Sequence, residues 1–327
     1  MDNESTMKNM IDGGQKKSPP VKMIVFLVVL AVLVSLPFWG GAYIINLVIL
    51  VLLYTSFGQM WNLLGGYAGL VSLGQQSFIG LGGYALALIS QKYGLPIFLA
   101  FIVAAVVSVL FALIISIPIF KMSGVYFTIG TWIVAECLAL FFSTWAFVNY
   151  AQGYNITASY KMPIEVIYFI AFAVGVGSIL VVFFILRSKL GLGLMAMRDN
   201  ISAAEVRGVE IYRTKLKCFL ISACITGVAG AAMYLYMGSI RTADGFGISW
   251  TISMVFIVII GGIGTIEGPI IGAIIFVALR QFLFAFPGYS MVILGVIAII
   301  IIMVAPKGIA GMISRKKDLQ LFPTRRK

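Results

Sequence analysis

The sequence predicts an all-α polytopic membrane protein with about ten transmembrane helices, both termini cytoplasmic, and a cytoplasmic coupling loop between the sixth and seventh. Three observations predict it. Of 327 residues, 61% are hydrophobic and 10% charged, with a mean hydropathy of +1.07. Apolar runs of about 20 residues, the length that crosses a hydrocarbon layer, recur along the whole chain. The basic residues gather beside alternate runs, as cytoplasmic loops require. No single soluble core hides that much apolar surface.

Residues 1–21 read as a polar cytoplasmic tail, beginning acidic and ending near Ser18, Pro19 and Pro20. The run after them lacks a small-residue cleavage pattern, so it reads as a retained signal-anchor helix. Apolar runs fall near 22–39, 43–62, 67–90, 96–119, 126–147, 164–186, 214–238, 249–264, 267–286 and 289–305. Together they make a transmembrane permease domain, 22–306, followed by a basic cytoplasmic tail, 307–327. Ten crossings from an inside start return the C-terminus inside. The count then puts 19 basic residues inside and three (Lys92, Lys161, Arg241) outside, leaving Arg280 within a helix.

The net charge of +12 would suggest nucleic acid in a soluble chain, but its clustering beside apolar runs assigns it to the cytoplasmic face instead. Cys137, Cys218 and Cys224 sit in apolar runs without pairing or ligand spacing, and the chain has no histidine. Neither a disulfide framework, a metal site nor redox chemistry is expected. No G-x-x-x-x-G-K-[ST] is present, so the chain has no P-loop of its own.

Glycine concentrates in GGYAGLVSLGQQSFIGLGGY (65–84) and GGIGTIEGPIIGA (261–273). Gly264, Gly268 and Gly272, like Ala223, Gly227 and Ala231, repeat at a spacing of four. Close helix packing through small residues is one reading. The other is a pair of broken helices whose free ends face a substrate near the midplane.

Polar groups within the runs are few. Ser72, Gln75, Gln76 and Ser77 cluster in the third run beside Phe78. Thr128, Thr131 and Glu136 share the fifth with Tyr126, and Thr128 and Thr131 fall on one helical stripe. Glu136 lies far from either end, where a carboxylate must face protein or a watery path, or stay protonated as a packing residue.

The stretch 187–217 carries seven basic and three acidic residues between two long runs. Within the loop 187–213, Ser202-Ala203-Ala204-Glu205 has capping-box spacing and Gly208 is a helix stop. A short helix outside the membrane follows, either resting on lipid or inserted into a soluble partner. The mixed charges Arg198, Asp199, Glu205 and Arg207 favour a protein partner.

Five ordered segments carry a resemblance: GYAGLVSLGQQSFIGLGGY, KMSGVYFTIGTWIVAE (121–136), GLGLMAMRDNISAAEVRGVEIYRTKLKCFLISACITGVAGA (191–231), GGIGTIEGPIIGA and APKGIAGM (305–312). Over residues 40–312 the chain resembles the permease subunits of branched-chain amino-acid ABC importers, in their LivM-like branch. In one departure, Gln75 and Gln76 stand where family members often carry histidine, which weakens any proton-linked role there.

The resemblance implies a permease of the bacterial inner membrane that forms half of a transport pathway for leucine, isoleucine or valine. Its implied partners are a second homologous permease subunit, two cytoplasmic ATP-binding subunits and an extracytoplasmic substrate-binding protein, within the lipid bilayer. It implies no catalytic residue and no cofactor in this chain. The pathway would draw on Ser72, Gln75, Gln76, Ser77, Phe78, Tyr126, Thr128, Thr131 and Glu136. Coupling to the ATPases would fall to Arg198, Asp199, Asn200, Ser202, Ala203, Ala204, Glu205, Arg207 and Gly208. Permeases for urea, short amides or other small solutes share these motifs. A self-contained secondary transporter using Glu136 or Glu267, or a membrane scaffold without transport, also stays open.

Overall fold

The structure is a computed structural model describing residues 20–283 and, beyond them, 292, 293, 295–297, 299, 303, 308, 309 and 311. The N-terminal tail to residue 19, nearly all of the tenth run and nearly all of the basic C-terminal tail lie outside the described residues. The chain divides into two units, 1–41 and 42–327.

The first unit holds α1, Pro20–Trp39. Pro20 stands at the first helical position, where no amide donor is needed. The helix closes at Gly40, whose N–H bonds the Leu36 carbonyl at 2.7 Å.

The second unit opens with α2, Ala42–Asn62, which a π-helical turn extends to Tyr67. Irregular chain over 68–75 leads into α3, Gln76–Ala87, and a second π turn to Lys92. Two full-length helices follow, α4 over Ile97–Ile119 and α5 over Val125–Thr144. A ribbon strand β1, Tyr154–Asn155, and a single turn α6, Thr157–Lys161, precede α7, Ile164–Arg187. Then come α8, Lys189–Asp199, α9, Ile201–Val206, and α10, Ile211–Met237. The remaining elements are β2, Ser239–Ile240, α11, Thr242–Gly245, α12, Ser249–Gly261, and α13, Glu267–Leu283.

Six helices among the described residues are long and apolar enough to cross a membrane: 42–67, α4, α5, α7, α10 and the α11–α12 stretch 242–261. At about 1.5 Å per residue, 20 residues reach about 30 Å. The third run, expected as one helix near 67–90, is instead broken. Its first residue finishes the preceding helix and 68–75 are irregular, because glycine-rich chain gives up helical geometry where buried partners supply the backbone hydrogen bonds.

This half-helix lies inside the bundle. All twelve residues of α3 are buried, and it packs chiefly on α10 and α4. A Cβ at Gly82 would run into the Gly227 carbonyl of α10, and one at Gly80 into the Phe246 ring. The Ala223, Gly227, Ala231 face therefore packs helices, as its spacing predicts. Gly264 departs from its expected helix face: it sits in the loop before α13 with φ +74°, while Gly268 and Gly272 lie on α13.

Successive turns meet at two ends of this unit. At one end the α4–α5 turn touches the base of α10, with the Phe120 and Tyr212 rings 5.8 Å apart. There α8 and α9 bury Leu194, Met197 and Ala204 among Leu63, Leu64 and Phe219. At the other end β1 pairs antiparallel with β2, Tyr154 opposite Ile240. Lys92 donates to the Phe147 carbonyl at 3.2 Å and lies 3.6 Å from that ring's centre.

Candidate functional site

The irregular segment 68–75 runs into an apolar bundle, with Ser72, Gly74 and Gln75 buried and Gly69 and Val71 exposed, and its buried backbone groups must find partners. Neighbouring helices supply them. Thr128 donates its hydroxyl to the Val71 carbonyl at 2.8 Å, and the Leu73 N–H donates to Thr131 Oγ1 at 3.1 Å. Trp61 of α2 donates its indole N–H to the Ser72 carbonyl at 2.9 Å, and Ser72 Oγ accepts from the Gly74 N–H at 3.2 Å. The stripe shared by Thr128 and Thr131 thus clamps the break, which brings these two residues together with Ser72. A Cβ at Gly74 would strike the Thr131 backbone, so glycine is required where α5 passes.

Gln75 and Gln76 start α3 fully buried, pointing to different neighbours. Thr226 of α10 donates to Gln75 Oε1 at 3.3 Å, and Thr251 of α12 donates to Gln76 Oε1. The two amide nitrogens and the Ser77 hydroxyl are buried without a hydrogen-bond partner among the described residues. Each such group costs about 1–3 kcal/mol when left unpaired. Phe78 is packing: its ring lies 5.6 Å from that of Phe219.

Tyr126 and Glu136 are not gathered with these groups. Both are exposed along the outer face of α5, with Tyr126 at 76%. Glu136 accepts the Trp132 indole N–H at 3.0 Å, one helical turn away.

The loop between α12 and α13 is held by two carboxamides that the run-by-run sequence pattern did not single out. Asn62 donates to the Thr265 carbonyl and accepts from the Gly264 N–H, both at 2.8 Å, and Gln59 donates to the Ile266 carbonyl at 2.7 Å. Their signal was available: two amides one turn apart inside an apolar run, each fully buried. Glu267 opens α13, as it opens the ninth apolar run, so its carboxylate sits at the positive end of the helix dipole.

The charged segment meets both breaks at this point. Arg198, in the last turn of α8, donates Nη1 to the Gly66 carbonyl at 3.0 Å. Its stem lies against Gly69, and its guanidinium approaches Gly264. Its Nε and Nη2 pair with Asp199 Oδ1 at 3.2 and 3.1 Å, an exposed contact worth little by itself. The expected capping box gives way to a different cap. Asn200 is extended, and its side chain accepts from the Ala203 N–H at 3.0 Å, so Ser202 falls inside the helix. Asn200 wins because asparagine caps as well as serine and stands one residue before the helical start. Gly208, at φ +82°, ends α9 as expected.

Only Ala204 of α9 is buried. Ser202, Ala203, Glu205 and Arg207 are exposed, Ile201 is 46% exposed and Val206 90%. The short helix thus carries two exposed β-branched apolar side chains among mixed charges.

The sequence model of one family, branched-chain amino acid transport system / permease component, matches residues 43–303. The high-affinity branched-chain amino acid transport system permease protein LivM of Escherichia coli (strain K12) is 25% identical over 323 residues, 89% of this chain and 76% of its own. LivM of Salmonella typhimurium matches to the same identity and extent. A probable branched-chain amino acid transport permease protein LivH of Methanocaldococcus jannaschii is 31% identical over 147 residues, 42% of this chain and 45% of its own. No solved structure matches.

Proposed function

We propose a function from one premise: the chain belongs to the family of permease components of branched-chain amino acid transport systems. It is an integral membrane protein and a permease subunit of an ABC importer for branched-chain amino acids. In the assembly we infer, a second homologous permease subunit completes the pathway and two cytoplasmic subunits bind and hydrolyse ATP. An extracytoplasmic binding protein delivers leucine, isoleucine or valine.

The orientation we favour puts the α8–α9 end in the cytoplasm of a bacterial cell, with ten crossings and both tails, 1–21 and 307–327, on that side. Between residues 42 and 283 that end gathers eight Lys and Arg against three at the other, the bias expected of an inner face. A Cβ at Gly308 would strike the backbone of Gly262, which is consistent with the chain returning to that end.

The pathway reading divides in two. Ser72, Gln75, Gln76, Ser77, Phe78, Thr128 and Thr131 serve the broken crossing, the element that changes neighbours between inward and outward states. Tyr126 and Glu136 face the second permease subunit, since a carboxylate turned to lipid in mid-span is costly.

The observation that carries this reading is the bond from Arg198 to the Gly66 carbonyl. It ties α8, which leads into the exposed docking helix α9, to the π turn that leads into the broken crossing. ATP-driven closure of the ATPase pair pulls on α9, and α8 passes the movement to residues 66–75. Such coupling requires that the segment be held differently in the two nucleotide states.

The test is a benzophenone side chain at Val206, photo-activated in the complete complex with and without ATP. The expected product is a crosslink to an ATP-binding subunit whose yield changes with nucleotide. Irradiation that never captures an ATP-binding subunit would refute the coupling assignment.

A further inference from the structure

We propose that a cavity of about 430 Å³ between α2, α11, α12 and α13 is a receiving subsite for a zwitterionic aliphatic amino acid, with Arg280 taking its carboxylate and Asp244 its ammonium group. The proposal rests on the branched-chain permease reading and adds a binding site outside the residues assigned above.

The volume lies within the ~300–1,000 Å³ typical of small-molecule sites. Its walls carry one full charge of each sign. Arg280 stands 13 residues beyond the start of α13, about 20 Å along the axis at 1.5 Å per residue. Arg280 falls in the last turn of that helix and, like Asp244, is exposed, so a ligand can reach its guanidinium. Its hydrogen-bond partner among the described residues is the Tyr54 hydroxyl, which is neutral, so four of its five N–H donors are unspent. Two parallel donors match a carboxylate.

Asp244 makes no hydrogen bond through its carboxylate among the described residues. Its backbone is nevertheless fixed, because Trp250 donates its indole N–H to the Asp244 carbonyl at 2.7 Å. A structural ion pair would bring the two charges within 4 Å. The pairs among the described residues are Arg198 with Asp199 and Arg213 with Glu210, so Arg280 and Asp244 face the same cavity unbridged.

Between them stands an aromatic wall. Tyr54 lies 4.9 Å from the Phe276 ring and 6.1 Å from that of Trp250, centre to centre. Opposite charges at two places with a rigid apolar surface between fit a branched aliphatic side chain carrying an α-carboxylate and an α-ammonium. Urea and short amides, which lack both charges, form no ion pair with Arg280 or Asp244.

The experiment uses the complete importer in nanodiscs, with Cys137, Cys218 and Cys224 of this chain replaced by alanine and Ser253→Cys introduced on the cavity wall. The rate of thiol modification by a membrane-impermeant methanethiosulfonate is measured with L-leucine, leucinamide or 4-methylpentanoate. Leucine is expected to slow labelling at least threefold, the two single-charge analogues much less. Arg280→Gln or Asp244→Asn should abolish that protection.

In parallel, those two substitutions should each lower leucine uptake more than tenfold while the ATP-binding subunits still co-purify. Leucine import with unprotected labelling, or normal uptake by both variants, overturns the subsite alone. A complex that imports no branched-chain amino acid overturns the functional reading and the subsite with it.

Discussion

Replacing Arg198 by methionine keeps an unbranched apolar stem and removes the charge and the donors. The substitution deletes one charge-assisted hydrogen bond, Nη1 to the Gly66 carbonyl at 3.0 Å. Hydrogen bonds to charged groups contribute about 1.5–3 kcal/mol. The side chain is 40% exposed, so the lower end applies, about 1.5 kcal/mol. The Asp199 pair, 71% exposed on the acid side, adds less than about 1 kcal/mol. If the bond is made in one nucleotide state and broken in the other, its removal takes away about 1.4 kcal/mol of differential stabilisation for each tenfold change in coupling. The Arg198→Met complex should therefore hydrolyse about tenfold more ATP per leucine imported, with the protein inserted and assembled normally. Arg198→Lys should fall between, because an ammonium reaches the carbonyl but cannot hold Asp199 at the same time as a planar fork does. The assay is simultaneous phosphate release and labelled-leucine uptake in proteoliposomes. An unchanged ratio in both variants would refute the idea that this hydrogen bond transmits the stroke.

Two further substitutions probe the scaffold around the break. Asn62→Leu leaves the Gly264 N–H and the Thr265 carbonyl unpaired, at about 1–3 kcal/mol each; thermal unfolding of the detergent-solubilised complex should drop by several degrees, and an unchanged midpoint would contradict the bidentate role. Gly82→Val forces side-chain atoms into the Gly227 carbonyl, an overpacking expected to cost at least about 1–3 kcal/mol. The yield of membrane-integrated protein should fall sharply, whereas the same change at Gly177, where a Cβ meets nothing within 4 Å, should be tolerated.

The spans were legible because run length is a one-dimensional signal: α4, α5, α7 and α10 fall within a few residues of their apolar runs. The break at 68–75 was half legible. Its glycines suggested an interrupted helix, but nothing local said that Thr128, Thr131 and Trp61 would take over its backbone bonds. Those partners lie up to about sixty residues away, and long-range pairing leaves no periodicity. Gln59 and Asn62 were missed for the same reason, since the loop they hold is some two hundred residues distant. At the α9 start two good caps competed, and spacing alone could not rank Asn200 against Ser202. Arg280 did register in the sequence, as the one basic residue that charge counting left inside a helix; the cavity beside it needed three other elements to appear. The polar residues expected to share one pathway are instead divided between a buried clamp and the outer face of α5, a division that depends on helix rotation, which apolar runs this uniform do not encode.

The permease assignment is tested most directly by uptake of labelled leucine, isoleucine, valine and urea into vesicles holding this chain with a second permease subunit, ATP-binding subunits and a binding protein, each omitted in turn. The expected result is ATP-dependent uptake of the three branched amino acids but not urea, abolished when either the ATP-binding subunits or this chain is left out. Uptake by this chain alone, without ATP-binding subunits, would contradict the assignment and make the protein a self-contained transporter.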